Sequence, residues 1–85
     1  MPDHATYLKA VNNPVRKAML IAIDKVTKIT RKDLLTKLQE SNVLNNEDMF
    51  DYHMNFLIQA ECVKKLDNNG SEYEILPAGK VVENY

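Results

Sequence analysis

The chain has 85 residues, 45% of them hydrophobic and 27% charged, with two glycines, one cysteine and a formal net charge of -1. That length supports one domain, residues 1–85, with a modest core, while the composition excludes a disordered segment and the lone cysteine excludes an internal disulfide. A near-neutral balance excludes a broadly cationic surface, so any phosphate-binding face must be local. No apolar run approaches the ~20 residues a bilayer span needs, and the N-terminus lacks a signal peptide's basic start and apolar middle. A cytoplasmic protein without membrane contact is therefore expected.

Asp3 is a candidate N-cap for a first short helix whose apolar stripe is Tyr7, Leu8 and Val11. Such a helix is too short to stand alone and must pack on its own domain or on a second copy of the chain. Asn13 followed by Pro14 marks the start of a second helix running to about Asp24. Val15, Ala18, Met19, Ala22 and Ile23 form its stripe, and Leu20 and Ile21 carry the apolar surface most of the way round. This predicts the buried centre of the fold, with Arg16, Lys17 and Asp24 in solvent. Ile29 then suits a one- or two-residue edge strand.

Thr30 with Asp33 three residues on resembles a capping box, and Leu34, Leu35 and Leu38 give the third helix its buried side; Arg31, Lys32 and Lys37 remain outside. Residues 41–46 connect it to the next helix, with Val43 and Leu44 turned inward and Asn45 or Asn46 as the cap. Glu47 and Asp48 fall in the first turn, where the helix dipole favours an acid. At 3.6 residues per turn, Phe50, Met54, Leu57, Ile58 and Glu61 lie on the core side, opposite Asp48, Asp51, Tyr52, Asn55 and Gln59. From Cys62 to Asp67 and from Glu72 to Leu76 the period shifts towards two, and Asn68, Asn69, Gly70 and Ser71 supply turn residues. Pro77 ends the second strand, and Val81, Val82 and Tyr85 form the apolar side of a final helix over residues 78–85. The expected fold is mainly α with a small β-hairpin.

Three stretches carry a family resemblance. N-P-V-R-K-A-M-L-I-A-I is similar to the "x-P-x-R-x-x-I-L-x-x-L" helix of small ArsR-like transcriptional regulators. F-D-Y-H-M-N-F-L-I-Q-A-E-C-V-K-K resembles their "Y-H-L-x-x-L-x-x-x-G-L-V" recognition helix and first wing strand, and E-Y-E-I-L-P-A-G-K-V-V their "Y-x-L-T-x-x-G" ending. The resemblance implies a winged helix-turn-helix regulator that binds double-stranded DNA as a homodimer, with the second helix of the motif in the major groove. Carried over position by position, Asp51, Tyr52 and Asn55 face bases and His53 lies near the backbone. Asn68 and Asn69 tip the wing. The first and last helices, through Tyr7, Leu8, Val11, Val81, Val82 and Tyr85, form the dimer interface. The chain departs from the family where a small hydroxyl often stands at position 51 and a base at position 55. Its residues 46–61 hold four acids and no Lys or Arg.

Each candidate also has a plainer reading. Asn55 and Gln59 carry the amide geometry that reads adenine, yet amides also serve as solvated surface. Asp48 and Asp51 could accept from cytosine, or merely favour the helix start. Arg31 and Lys32 at a helix start, with Lys64 and Lys65 on the first wing strand, are phosphate candidates or solvated charges, and Lys28 and Lys37 flank them. His53, beside the core stripe, suits packing with one nitrogen satisfied. Met49, Tyr52 and Phe56 form a second stripe, either extended core or an edge for a protein partner. Cys62 reads as a buried, inert thiol. No phosphate loop, nucleophile with a base, or metal-ligand spacing is present, so neither an enzyme nor a cofactor or metal is expected. The alternative to a DNA-binding regulator is a winged-helix module that binds protein and not DNA.

Overall fold

The computed structural model describes residues 4–66 and 71–80. Helix α1 spans His4–Val11 and α2 spans Pro14–Val26; strand β1 (Lys28–Thr30) leads into α3 (Arg31–Glu40). Helix α4 (Phe50–Gln59) is followed by β2 (Val63–Lys65), β3 (Glu72–Ile75) and α5 (Pro77–Lys80). The fold is mainly helical, with a three-stranded antiparallel sheet in the order β1-β3-β2. Asn68, Asn69, Val81, Val82 and Tyr85, expected at the wing tip and the dimer interface, lie outside the described residues.

Local chemistry explains most boundaries. The Asn13 carboxamide accepts from the backbone N–H of Val15 at 2.9 Å and of Arg16 at 3.1 Å, with Pro14 at the first helical position, as the sequence predicts. The Thr30 hydroxyl accepts from Asp33 N–H at 3.1 Å and caps α3. Both α3 and α4 end in left-handed caps. Asn42 has φ 60°, with Val43 N–H donating to Leu38 O at 2.9 Å; Glu61 has φ 59°, with Cys62 N–H donating to Leu57 O at 2.9 Å.

One core gathers Met19, Leu20 and Ile23 of α2, Leu34 and Leu38 of α3, Phe50, Met54 and Leu57 of α4, and Tyr73 and Ile75 of β3. Helix α2 touches every other helix and two strands, as a central helix should. Gly79 sits so close to the end of α4 that a Cβ there would meet the Cys62 carbonyl oxygen at 2.5 Å. Only glycine fits there. Cys62 is fully buried, and burial pushes its thiol pKa up to about 11, which leaves it protonated and unreactive.

Five local expectations need correction. Arg16, placed in solvent by the helical pattern, is buried. Ile21, assigned to the buried surface of α2, is exposed, because α2 packs over less of its circumference than its composition suggests. The first strand is three residues long, since β3 offers a full partner edge pairing Lys28 with Glu74, Ile29 with Tyr73 and Thr30 with Glu72. Helix α4 begins at Phe50 and not near Asn46. The Asn46 carboxamide does accept from Asp48 N–H at 3.0 Å, but this closes a local turn, and the helix starts beyond it with no side-chain cap at Met49. Glu61, placed on the core side, is exposed, because the chain leaves the helical path at that residue.

Candidate functional site

Helix α4 presents a continuous outward face. Asp51, Tyr52, Asn55 and Gln59 are all exposed, as is Asp48 in the turn before the helix, while Phe50, Met54 and Leu57 anchor the opposite side in the core. Exposed acids and amides thus cover a helix whose inward residues are packed tightly enough to fix its direction.

Arg31, at the first position of α3, reaches the start of α4. Its Nε and Nη2 donate to Oδ1 and Oδ2 of Asp51, each at 3.4 Å, and its Nη1 donates to Glu47 at 3.3 Å. The guanidinium lies 4.8 Å from the centre of the Phe50 ring, and the Arg31 backbone N–H donates to Ser71 O at 2.8 Å. Partial burial alone would lower the Arg31 pKa, but the bonds from Asp51 and Glu47 outweigh it and the net shift is upward. The sequence placed Arg31 beside Lys32 as a phosphate contact; in the fold its guanidinium is directed at two carboxylates. Lys32 itself is exposed. Together with Thr30, Arg31, Leu35, Glu47 and Ser71 it lines an open cavity of about 510 Å³ beside the helix pair.

Lys64 and Lys65 are both exposed. Glu74 on the central strand lies opposite Lys28 on one side and Lys64 on the other, so these two lysines have a carboxylate as cross-strand neighbour; Lys65 lies opposite Tyr73 instead.

His53 is buried and turned away from the outward face. Its Nδ1 is 3.0 Å from Nη1 of Arg16, and since a guanidinium can only donate, Nδ1 accepts and the ring proton sits on Nε2. Arg16 also donates from Nε to Ala10 O at 2.7 Å and from Nη2 to Lys9 O at 2.9 Å, and its guanidinium stacks 4.3 Å from the Phe56 ring centre. At 6% exposure Arg16 ties the end of α1 to α4 through the interior. Burial lowers its pKa; burial, and then the charge of Arg16, lowers that of His53. Helical periodicity missed Arg16. Nothing in the pattern of α2 marked it, since its acceptors lie on α1 and α4.

Met49 is exposed and Tyr52 is 51% exposed, whereas Phe56 is partly buried. The Tyr52 ring meets both His53 and Phe56 edge-on, with centroids 5.2 Å apart in each case. Tyr7 and Leu8 of α1 are half-buried, and the Tyr7 hydroxyl donates to Ala78 O at 3.5 Å. Val11 is 1% exposed, so it has no surface left to offer a second copy. Among the described residues no three His, Cys, Asp or Glu gather to hold a metal ion, and no helix is long and apolar enough to cross a membrane. No family model, curated protein or solved structure matches the chain.

Proposed function

We propose that this chain is a winged helix-turn-helix regulator of transcription that binds double-stranded DNA as a homodimer. Helices α3 and α4 form the reading pair, and β2 and β3 form the wing. The observation that carries this reading is the outward face of α4, solvated along its length and bordered by the cavity that Lys32 lines at one end. A helix in a major groove needs one whole side free of its own domain and cations at its flanks to hold phosphates. Lys32, Lys64 and Lys65 are exposed and suit that second role, and Asn55 and Gln59 suit base edges. Tyr7 and Leu8 of α1, both half-buried, are the apolar surface offered to a two-fold partner.

A second reading has a specific observation behind it. Arg31 is engaged by Asp51 and Glu47, and Tyr52 and Met49 are exposed next to them, an arrangement that would also suit a protein-binding winged helix without DNA. Titration of labelled random-sequence duplex at several salt concentrations separates the two. Four phosphate contacts should cost more than about tenfold in affinity between roughly 50 and 200 mM salt, from a slope of about -0.9 per contact. No binding at low salt would refute the DNA reading.

A further inference from the structure

We propose that Arg31 is a positioning residue that holds Asp51 as a reader of cytosine in duplex DNA, an inference that rests on the DNA-binding reading above. Because α4 starts at Phe50, Asp51 is the second residue of the helix, and the N-terminal residues of a reading helix are those that meet base edges. A carboxylate at that place can accept from the amino group of cytosine or of adenine, and cytosine is favoured because adenine sets its N7 acceptor beside the amino group, where it repels a carboxylate.

An unassisted aspartate would serve poorly, since phosphates repel it and its carboxylate rotates. Arg31 counters both effects. Its Nε and Nη2 face the two Asp51 oxygens at 3.4 Å, which aligns the carboxylate with the guanidinium and offsets part of its charge. Arg31 is itself held by Ser71 O on its backbone N–H, by Glu47 on Nη1 and by the Phe50 ring beneath the guanidinium. Each carboxylate oxygen has a second lone pair, and the Asp51 side chain remains 68% exposed, so an amino donor can still approach. A phosphate could take Arg31 only by displacing the acids, whereas Lys32 beside it is exposed and suits a phosphate directly. Asn55, one turn along at a rise of about 6 Å, presents an amide suited to adenine. Cytosine and adenine at nearby positions of one half-site are the expected preference.

The test is enrichment of duplexes from a random library, followed by affinities for the winning duplex and its single-base variants at one fixed salt concentration. The wild-type chain is compared with Asp51→Asn, Arg31→Gln and Arg31→Lys, each first shown to melt as a folded protein. The wild type should prefer cytosine at one position by about tenfold, the scale of a good base contact. Asp51→Asn should abolish that preference, and Arg31→Gln should reduce it to under about threefold. Arg31→Lys should recover overall affinity but not the preference, because an ammonium cannot grip both carboxylate oxygens in a plane. If Arg31→Gln weakens all duplexes alike and leaves cytosine preferred, Arg31 is a phosphate clamp and the inference is wrong. It is equally wrong if the wild type binds duplex without a cytosine position. If the wild type binds no duplex even at low salt, the DNA-binding reading falls with it.

Discussion

Three hydrogen bonds and an aromatic ring converge on the Arg16 guanidinium, so truncating it strands the Ala10 carbonyl and the His53 nitrogen in the interior and frees the part-buried Lys9 carbonyl. Each stranded acceptor costs about 1–3 kcal/mol, and Arg16→Ala should destabilise the fold by about 3 kcal/mol or more, measured from urea midpoints at neutral pH. Arg16→Lys should recover less than half, since one ammonium cannot span three acceptors set around a plane. His53 adds a dependence on pH. Its folded pKa lies below the ordinary value because burial and the neighbouring Arg16 charge disfavour a second cation, so the unfolded chain takes up the proton first. Stability should be full above about pH 6.5 and fall as pH drops until the folded pKa is reached. His53→Asn places an amide oxygen near the position of Nδ1 without a titrating group. It should flatten that part of the pH profile; an unchanged profile would assign the acid loss to other groups. Arg16 was illegible in the helical pattern because periodicity sorts residues by average polarity, and a buried guanidinium becomes favourable only once Lys9, Ala10 and His53 have been brought together by the tertiary fold.

At the scale of elements, the ends of α3 and α4 differ in one instructive way. Both use a left-handed residue beyond the last turn, but α3 has Asn42 there and α4 has Glu61. Asparagine tolerates positive φ; glutamate pays the Cβ penalty of about 1–2 kcal/mol. Glycine at position 61 would carry no such penalty, and Glu61→Gly should raise stability by about 1 kcal/mol, or a few degrees in melting temperature. A lower melting temperature would show that the Glu61 side chain makes a contact worth more than the strain. Capping chemistry made the starts of α2 and α3 legible, since Asn13-Pro14 and Thr30 act through bonds only two or three residues away. The start of α4 was not, because Asn46 can close its own turn as readily as it can cap a helix, and the choice falls to the packing of Leu44 and Phe50.

For the whole molecule, assembly turns on the surface that α1 still has to give. Val11 and Ala10 are buried in the chain's own core, and the Tyr7 hydroxyl is bonded to Ala78, which leaves parts of Tyr7 and Leu8 for a partner. The proposed dimer predicts twice the chain mass by light scattering at micromolar concentration, and Leu8→Asp should halve it while leaving the helical circular dichroism intact. A single-chain mass for the wild type would refute the dimer. A two-fold pair of reading helices one turn of duplex apart, about 34 Å, would then have to be abandoned in favour of binding by single domains.

Strand β3 lies between β1 and β2, which pair with it and not with each other. It is also the last of the three to leave the ribosome. During synthesis, β1, α3, α4 and β2 all emerge before the strand that joins their two flanks exists, and Tyr73, which packs against Phe50 beneath the start of α4, arrives with it. A nascent chain halted before residue 72 therefore holds every residue of the outward face without the scaffold that aims it. Completion of the sheet, rather than formation of the helices, is the step that brings the Tyr73 support beneath α4 into place.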